Sequence, residues 1–141
     1  MTTYESEIKT ISSGEEVVFG ILSDLKNFES LKENPSLKDK AKDIEFDTDS
    51  CSFAVEGFGK MGFRIIEREP FKTVKFVSEK APMEVNVWVQ LKQVSENETK
   101  MKLTLKADLP MMIKMMVDKK LKEGINIIAD LLAKTLSTPS N

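Results

Sequence analysis

Residues 83–136 read MEVNVWVQLKQVSENETKMKLTLKADLPMMIKMMVDKKLKEGINIIADLLAKTL, and this stretch decides the fold. Apolar and polar residues alternate over 83–92 and again over 100–108, with a polar turn at 95–98 between them. A period of two with one apolar face is typical of antiparallel strands. We therefore predict two long neighbouring strands, each with one buried and one solvated face.

A long helix is predicted directly after these strands, from about residue 110 to residue 136. Pro110 suits its first turn, where the missing N–H costs nothing. At about 1.5 Å per residue this helix spans about 40 Å, enough to cross a whole sheet. Its apolar stripe repeats at helical spacing and consists of Val117, Leu121, Ile125, Ile128 and Leu132.

The earlier part of the chain supplies further strands and two short helices. Residues 4–11 alternate loosely and predict one strand, and residues 43–76 contain several further segments of period two. Ser13-Gly14-Glu15-Glu16 predicts a capping box at the start of a helix, in which Ser13 caps the amide of Glu16. A second short helix is predicted at about 27–33.

This order predicts an α+β fold in which a curved antiparallel sheet of about seven strands wraps on the C-terminal helix. The arrangement is strand, two helices, about six strands and a long helix. A sheet with one apolar face needs a cover, and only the last helix is long enough. We expect one domain over 1–141, with a frayed tail at about 137–141.

The composition excludes several function classes. The chain has 141 residues and a formal net charge of −2, which removes the main driver of nucleic-acid binding. With no histidine there is no Ser-His or Cys-His triad, and the single Cys51 excludes a Cys-based zinc site. We expect no metal and no cofactor.

Without a signal-peptide core or an apolar stretch of about 20 residues, a cytoplasmic location is expected.

The element order, together with two local motifs, resembles the START-like superfamily (SRPBCC) with its helix-grip fold. Residues 13–25 are similar to the first-helix signature, and residues 65–76 to the central hairpin. The resemblance implies a ligand site between helix and sheet, since members bind lipids, sterols, polyketides or plant hormones. Other members are cyclases, dehydratases or chaperone activators. The Trp common after the first helix is replaced here by Phe28 and Leu31, and the histidines of several polyketide cyclases have no counterpart.

The candidate binding residues are apolar side chains of inward parity on the strands, together with methionines at the start of the last helix. Methionine adapts to ligand shape, but it equally fills gaps in an ordinary core. Four methionines lie at 111–116, more than one helix face can bury, so some belong to a pocket mouth or a contact surface. The candidates are Phe53, Phe63, Ile65, Phe76, Met83, Val85, Val87, Met101, Leu103, Leu105, Met112 and Met116.

Glu67 is the only candidate catalytic residue, and the candidacy is weak. It shares the inward parity of Phe63 and Ile65, and burial would raise the pKa of its carboxyl. The alternative is a solvated residue at a strand end. Hydroxyls of matching inward parity could anchor a polar group of a ligand, and these belong to Tyr4, Ser6 and Ser78.

Other motifs favour structural interpretations. The GFGKMG sequence at 57–62 matches a dinucleotide-binding pattern, but a strand follows instead of a helix, which indicates a hairpin. The acidic residues at 43–49 have the spacing of a solvated strand face. Trp88 is predicted on the outer sheet face under lysine stems, and Cys51 as inert core. Gly124 in the last helix is compatible with close packing, with room for a ligand or with neutral drift.

Three functions follow from this sequence. The favoured one is binding of a small hydrophobic or amphipathic ligand of lipid, polyketide or aromatic type, because no catalytic triad exists. The second is an enzyme of polyketide cyclase or dehydratase type, dependent on pocket shape and Glu67. The third is a protein-interaction module of chaperone-activator type. A small homodimer is compatible with each of them.

Overall fold

The computed structural model describes residues 1–57 and 59–137 and contains an eight-stranded sheet with three α-helices. The predicted frayed tail lies, beyond Ser137, outside the described residues. The strands are β1 Thr2–Glu5, β2 Lys9–Ile11, β3 Lys42–Phe46, β4 Ser50–Val55, β5 Gly59–Glu69, β6 Thr73–Glu79, β7 Val85–Ser95 and β8 Glu98–Ala107. The helices are α1 Glu15–Leu22, a 3-10 helix Leu25–Glu33, α2 Pro35–Lys38 and α3 Met111–Leu136.

The sheet is antiparallel and runs in the order β1-β8-β7-β6-β5-β4-β3, with β2 also paired to β8. The predicted helix-grip α+β architecture is thereby confirmed, with eight strands instead of seven. The extra strand arises because the predicted strand at 4–11 is divided at Ser6. The Leu103 N–H donates to Ser6 Oγ at 2.9 Å in place of a backbone carbonyl, while the Ser6 N–H still donates to the Leu103 carbonyl, so one of the two backbone bonds of this pair is replaced.

A β-bulge in β5 reverses the inward and outward faces after Ile65. Ile65 pairs with Phe76, but Glu67 pairs with Lys75, so Ile66 is an extra residue on β5. Glu67 is therefore exposed on the outer face. The prediction that Glu67 faces the cavity is wrong, because strict alternation cannot anticipate one inserted residue.

The packed core lies under α1 and the C-terminal half of α3. The prediction of a capping box is wrong: Gly14 is the N-cap of α1, with no side-chain cap. Ser13 is buried and its hydroxyl donates instead to the Leu136 carbonyl at 2.9 Å. The core side chains come from both helices and from the middle of the sheet; they include Val18, Leu22, Val74, Val89, Met101, Leu103, Ile125, Ala129 and Leu136.

The outer face confirms several structural interpretations. Trp88 lies between two lysines, with Lys75 Nζ at 5.0 Å and Lys106 Nζ at 5.6 Å from its ring centroid. The acidic side chains at 43–49 are exposed. The glycine-rich segment at 57–62 joins β4 to β5 as a hairpin, with Phe58 outside the described residues.

Two glycine-to-alanine substitutions should have opposite effects on stability. A Cβ at Gly62 would overlap the Cys51 carbonyl oxygen, whereas a Cβ at Gly124 would meet nothing within 4 Å. Close packing therefore does not explain Gly124. We expect Gly124→Ala to raise the free energy of unfolding by about 1 kcal/mol, because alanine favours the helix. We expect Gly62→Ala to lower it by about 1–3 kcal/mol through steric overlap.

Urea denaturation of both variants tests this pair. Gly20→Ala in α1, where a Cβ also meets nothing within 4 Å, is the matched helical control. A destabilised Gly124→Ala variant would contradict the open environment of that residue.

Candidate ligand-binding cavity

A series of polar contacts fixes α3 to the N-terminal strands. They begin at Asp118, after the first two turns of the helix, and continue to its end, and each joins a residue of 4–13 to one of 118–136. The contacts are Tyr4 Oη to Asp118 Oδ1 at 2.6 Å, Glu7 N–H to Asn126 Oδ1 at 2.8 Å, Lys9 to Asp130 and Ser13 Oγ to the Leu136 carbonyl. The helix is consequently anchored along β1 and β2 from Asp118 onward.

The first turns of α3 project beyond this anchored part. The helix packs mainly on β1, β2 and β8. Val117 is the first buried residue of the helix. Met112 and Met116, both predicted to bind ligand, are 79% and 72% exposed. The expectation that some methionines lie at a pocket mouth or contact surface agrees with this placement.

The concave face of the sheet is fully buried at one end only. The structure brings the strand residues predicted for the site onto one face, through pairs such as Ile65 with Phe76 and Val87 with Leu105. Ile65, Met101 and Leu103 are buried. The half-buried ones are Phe53, Phe63, Phe76, Val85, Val87 and Leu105. Met83, predicted on a strand, is also half-buried but lies before β7, in the connection from β6. The apolar strand side chains lie on the face of the sheet that α3 covers, but these six are only half-buried. Their partial exposure indicates open space between α3 and the sheet.

A cavity of about 270 Å³ lies beneath the first turns of α3. Of the twelve predicted residues, Met83 and Met116 line it, while Met112 and the nine predicted strand residues do not. Its other lining residues are Gly57, Pro82, Ile113 and Val117. Ile113 precedes Val117 by one helical turn, so extending the apolar stripe of α3 backwards would have found it.

The three inward hydroxyls are hydrogen-bonded within the protein. Ser6 accepts from the Leu103 N–H and donates to the Glu7 carbonyl. Ser78 accepts from the Val85 N–H at 2.9 Å and so closes the turn between β6 and β7. Together with the contact from Tyr4 to α3, these bonds commit the predicted anchors to the fold. The cavity is left with an essentially apolar lining.

Tyr4 and Asp118 form the polar pair closest to the cavity end of α3. Burial, and then the hydrogen bond to Asp118, raise the pKa of Tyr4 to about 12. The hydrogen bonds from Tyr4 and Lys122 lower the pKa of the Asp118 carboxyl. At neutral pH the pair is therefore a neutral phenol donating to a carboxylate, which is a strong hydrogen bond.

Arg68 is the charged residue that the bulge turns inward. Its Nη2 donates to the Ser23 carbonyl at 2.8 Å and pairs with Asp49 Oδ1 at 2.5 Å. This contact joins β5 to the end of α1. Since Glu67 is exposed on the opposite face, no carboxylate reaches the cavity from this strand.

A second depression, of about 420 Å³, lies between the 3-10 helix and the β3–β4 hairpin. Lys32, Phe46 and Cys51 line it, together with polar residues of the hairpin. Burial raises the pKa of the Cys51 thiol, which agrees with its interpretation as an inert residue. Among residues 1–57 and 59–137, no three Cys, Asp or Glu side chains are grouped to hold a metal ion.

No helix within the described part of the chain combines the length and apolar character needed to cross a bilayer. No protein-family model matches the sequence, and no curated protein matches it.

Solved structures with the same fold are numerous, at low sequence identity. TTHA0849 from Thermus thermophilus matches 96% of this chain and 97% of its own, with a TM-score of 0.68 at 13% identity. The Aha1 dimer from Colwellia psychrerythraea matches over 100% of both chains, with a TM-score of 0.62 at 17% identity. A START superfamily protein from Mycobacterium smegmatis matches 87% of this chain and 96% of its own, with a TM-score of 0.51 at 11% identity. This likeness establishes the fold.

The Tyr4–Asp118 hydrogen bond should make stability sensitive to alkaline pH. Because the folded-state pKa of about 12 lies above the ordinary value of 10.0, folding favours the neutral phenol. This contribution is present below pH 10 and is lost as the pH rises from about 10 to about 12. We expect the Tyr4→Phe variant to lack this part of the alkaline stability loss.

The chain contains a single tyrosine, so tyrosinate absorbance reports Tyr4 alone. An alkaline absorbance titration of the native protein, with a urea-unfolded sample as reference, measures the pKa directly. Native and unfolded midpoints that coincide would contradict the buried hydrogen bond.

Truncation of two methionines should separate cavity lining from core. Met101 is 1% exposed and Met116 is 72% exposed. We expect Met101→Ala to lower the free energy of unfolding by about 2–5 kcal/mol. We expect Met116→Ala to change it by less than about 0.5 kcal/mol. Thermal and urea denaturation measure both, and a large loss in Met116→Ala would place that side chain in the core.

Proposed function

We propose that this chain, which has the START-like helix-grip fold, binds a small hydrophobic or amphipathic molecule between the sheet and the first half of α3. The observation that carries the proposal is the half-buried apolar floor. The rings of Phe53 and Phe63 are stacked, with their centroids 6.2 Å apart, and both side chains are only half-buried. Covering such surface would contribute about 25 cal/mol per Å², before ordering costs.

The position of the anchoring contacts supports a cavity that can change size. The space of about 270 Å³ is near the lower limit for small-molecule sites. The described anchoring contacts begin at Asp118, so residues 111–117 can shift without breaking them. The methionines at the cavity mouth are compatible with such a change in cavity size, because the unbranched side chain of methionine adopts new packing at little cost.

Lipid, polyketide and aromatic ligands are all compatible with an apolar lining, and the ligand class within this group is part of the proposal. The cyclase or dehydratase alternative loses support, because Glu67 is exposed on the outer face. The protein-interaction alternative is supported by the exposed methionines of α3. A cytoplasmic location and a homodimer remain predictions.

A cavity-filling substitution should weaken ligand binding. Ile113 lines the cavity, and a tryptophan in its place would occupy much of the open volume. We expect Ile113→Trp to bind the fluorescent fatty acid cis-parinaric acid at least tenfold more weakly than the unmodified protein. The matched control is Ile8→Trp, because Ile8 is 68% exposed and lies outside the cavity.

Native mass spectrometry of the freshly purified protein complements this titration. We expect an added mass that disappears on denaturation, or that appears after incubation with a mixed lipid and polyketide extract. A bare mass in both experiments, with no binding of the fatty acid, would contradict the proposal and favour a protein partner.

A further inference from the structure

The start of α3 carries a cluster of highly exposed apolar side chains. Met111, Met112, Met115 and Met116 are 72–79% exposed. Their spacing of one, four and five residues places them on one side of the helix, and Met116, at the edge of that side, also lines the cavity. We call these four residues the methionine face. Scattered apolar residues on a surface are ordinary, but four on two adjacent turns form a patch.

Lysines follow the methionine face along the same side of the helix. Lys119 and Lys120 occupy the next turn, are exposed and form no ion pair with a described acidic side chain. Lys114 is exposed beside the methionines. Asp118, the acidic residue of this segment, already binds Tyr4 and Lys122. Glu123, the next one, lies a turn further from the methionines.

We propose that the methionine face docks on the surface of an anionic phospholipid bilayer. An interfacial helix buries its apolar side about 5–10 Å below the headgroups, with basic residues at the phosphate level. Lys119 lies four residues beyond Met115, about 6 Å along the axis. A helix inclined with its N-terminal end lower therefore places the methionines among acyl chains while the lysines meet phosphates.

The charge and shape of this surface favour a bilayer over another occupant. A second copy of the chain would bring the same lysines to the contact, because isologous interfaces pair identical patches. The methionines protrude from a helix, so a protein partner would need a groove, whereas fluid acyl chains need none. Met116 also lines the cavity, so the cavity mouth would open at the bilayer surface.

The docking itself does not require a ligand, but its purpose rests on the proposed function: a ligand could pass between membrane and cavity without crossing water. Vesicle binding by ligand-free protein and cavity binding of cis-parinaric acid are measured separately. Failure of one therefore does not imply failure of the other.

Vesicle flotation of the full chain tests the proposal. We expect binding to vesicles of equal parts phosphatidylglycerol and phosphatidylcholine, little binding to phosphatidylcholine alone, and weakening as salt is raised. Replacing Lys119 and Lys120 with glutamine should weaken binding about 30-fold, since each lysine near an anionic surface contributes about fivefold. A triple Met111→Ser, Met112→Ser, Met115→Ser variant should lose binding while retaining its melting temperature.

The control is Ile8→Ser with Val94→Ser, which removes exposed apolar side chains elsewhere and should leave vesicle binding unchanged. Equal binding to both vesicle types, or undiminished binding by the triple variant, would overturn the proposal. So would sedimentation velocity that shows a dimer dissociated by the triple variant, without any vesicle binding. That result would assign the methionine face to self-association.

Discussion

The attachment of α3 to the first two strands determines which part of the space between helix and sheet is filled and which part is open. From Asp118 to Leu136 the helix is held by polar contacts from residues 4–13 and by the buried stripe beneath it. Each contact fixes the helix relative to β8, because β1 and β2 both pair with that strand. The first two turns lack such contacts in the described structure, and the cavity lies beneath them.

The same attachment governs what the cavity can recognise. The inward hydroxyls are used to hold strands and helix together, and the one inward arginine, Arg68, is used to hold β5 to α1. The lining that remains is apolar, built from Met83, Ile113 and Val117 with their neighbours, while Phe53 and Phe63 belong to the half-buried face of the sheet. Such a site distinguishes ligands by size and shape, since few polar groups are left to fix their orientation.

The sequence predicted the architecture well because period two and helical period are averaged over many residues. It failed where one residue decides the outcome. The extra Ile66 reverses the side of Glu67, and Ser6 divides the first strand by offering its hydroxyl to the Leu103 N–H. The floor residues were found by parity. The exposure of Met112 could not be predicted in this way, because periodicity gives the direction of a side chain but not its distance from the neighbouring elements.

The pairing of β1 and β2 with β8 also constrains how the chain can fold during its synthesis. Tyr4 pairs with Leu105 and Ile11 with Thr99, so the partners of these two residues lie 101 and 88 residues later in the chain. Domains with such long-range pairing fold slowly, because a large loop must close before the contacts form. During translation β1 and β2 therefore remain unpaired until β8 has been synthesised. The central strands β3–β7 are complete before β1 and β2 can pair with β8.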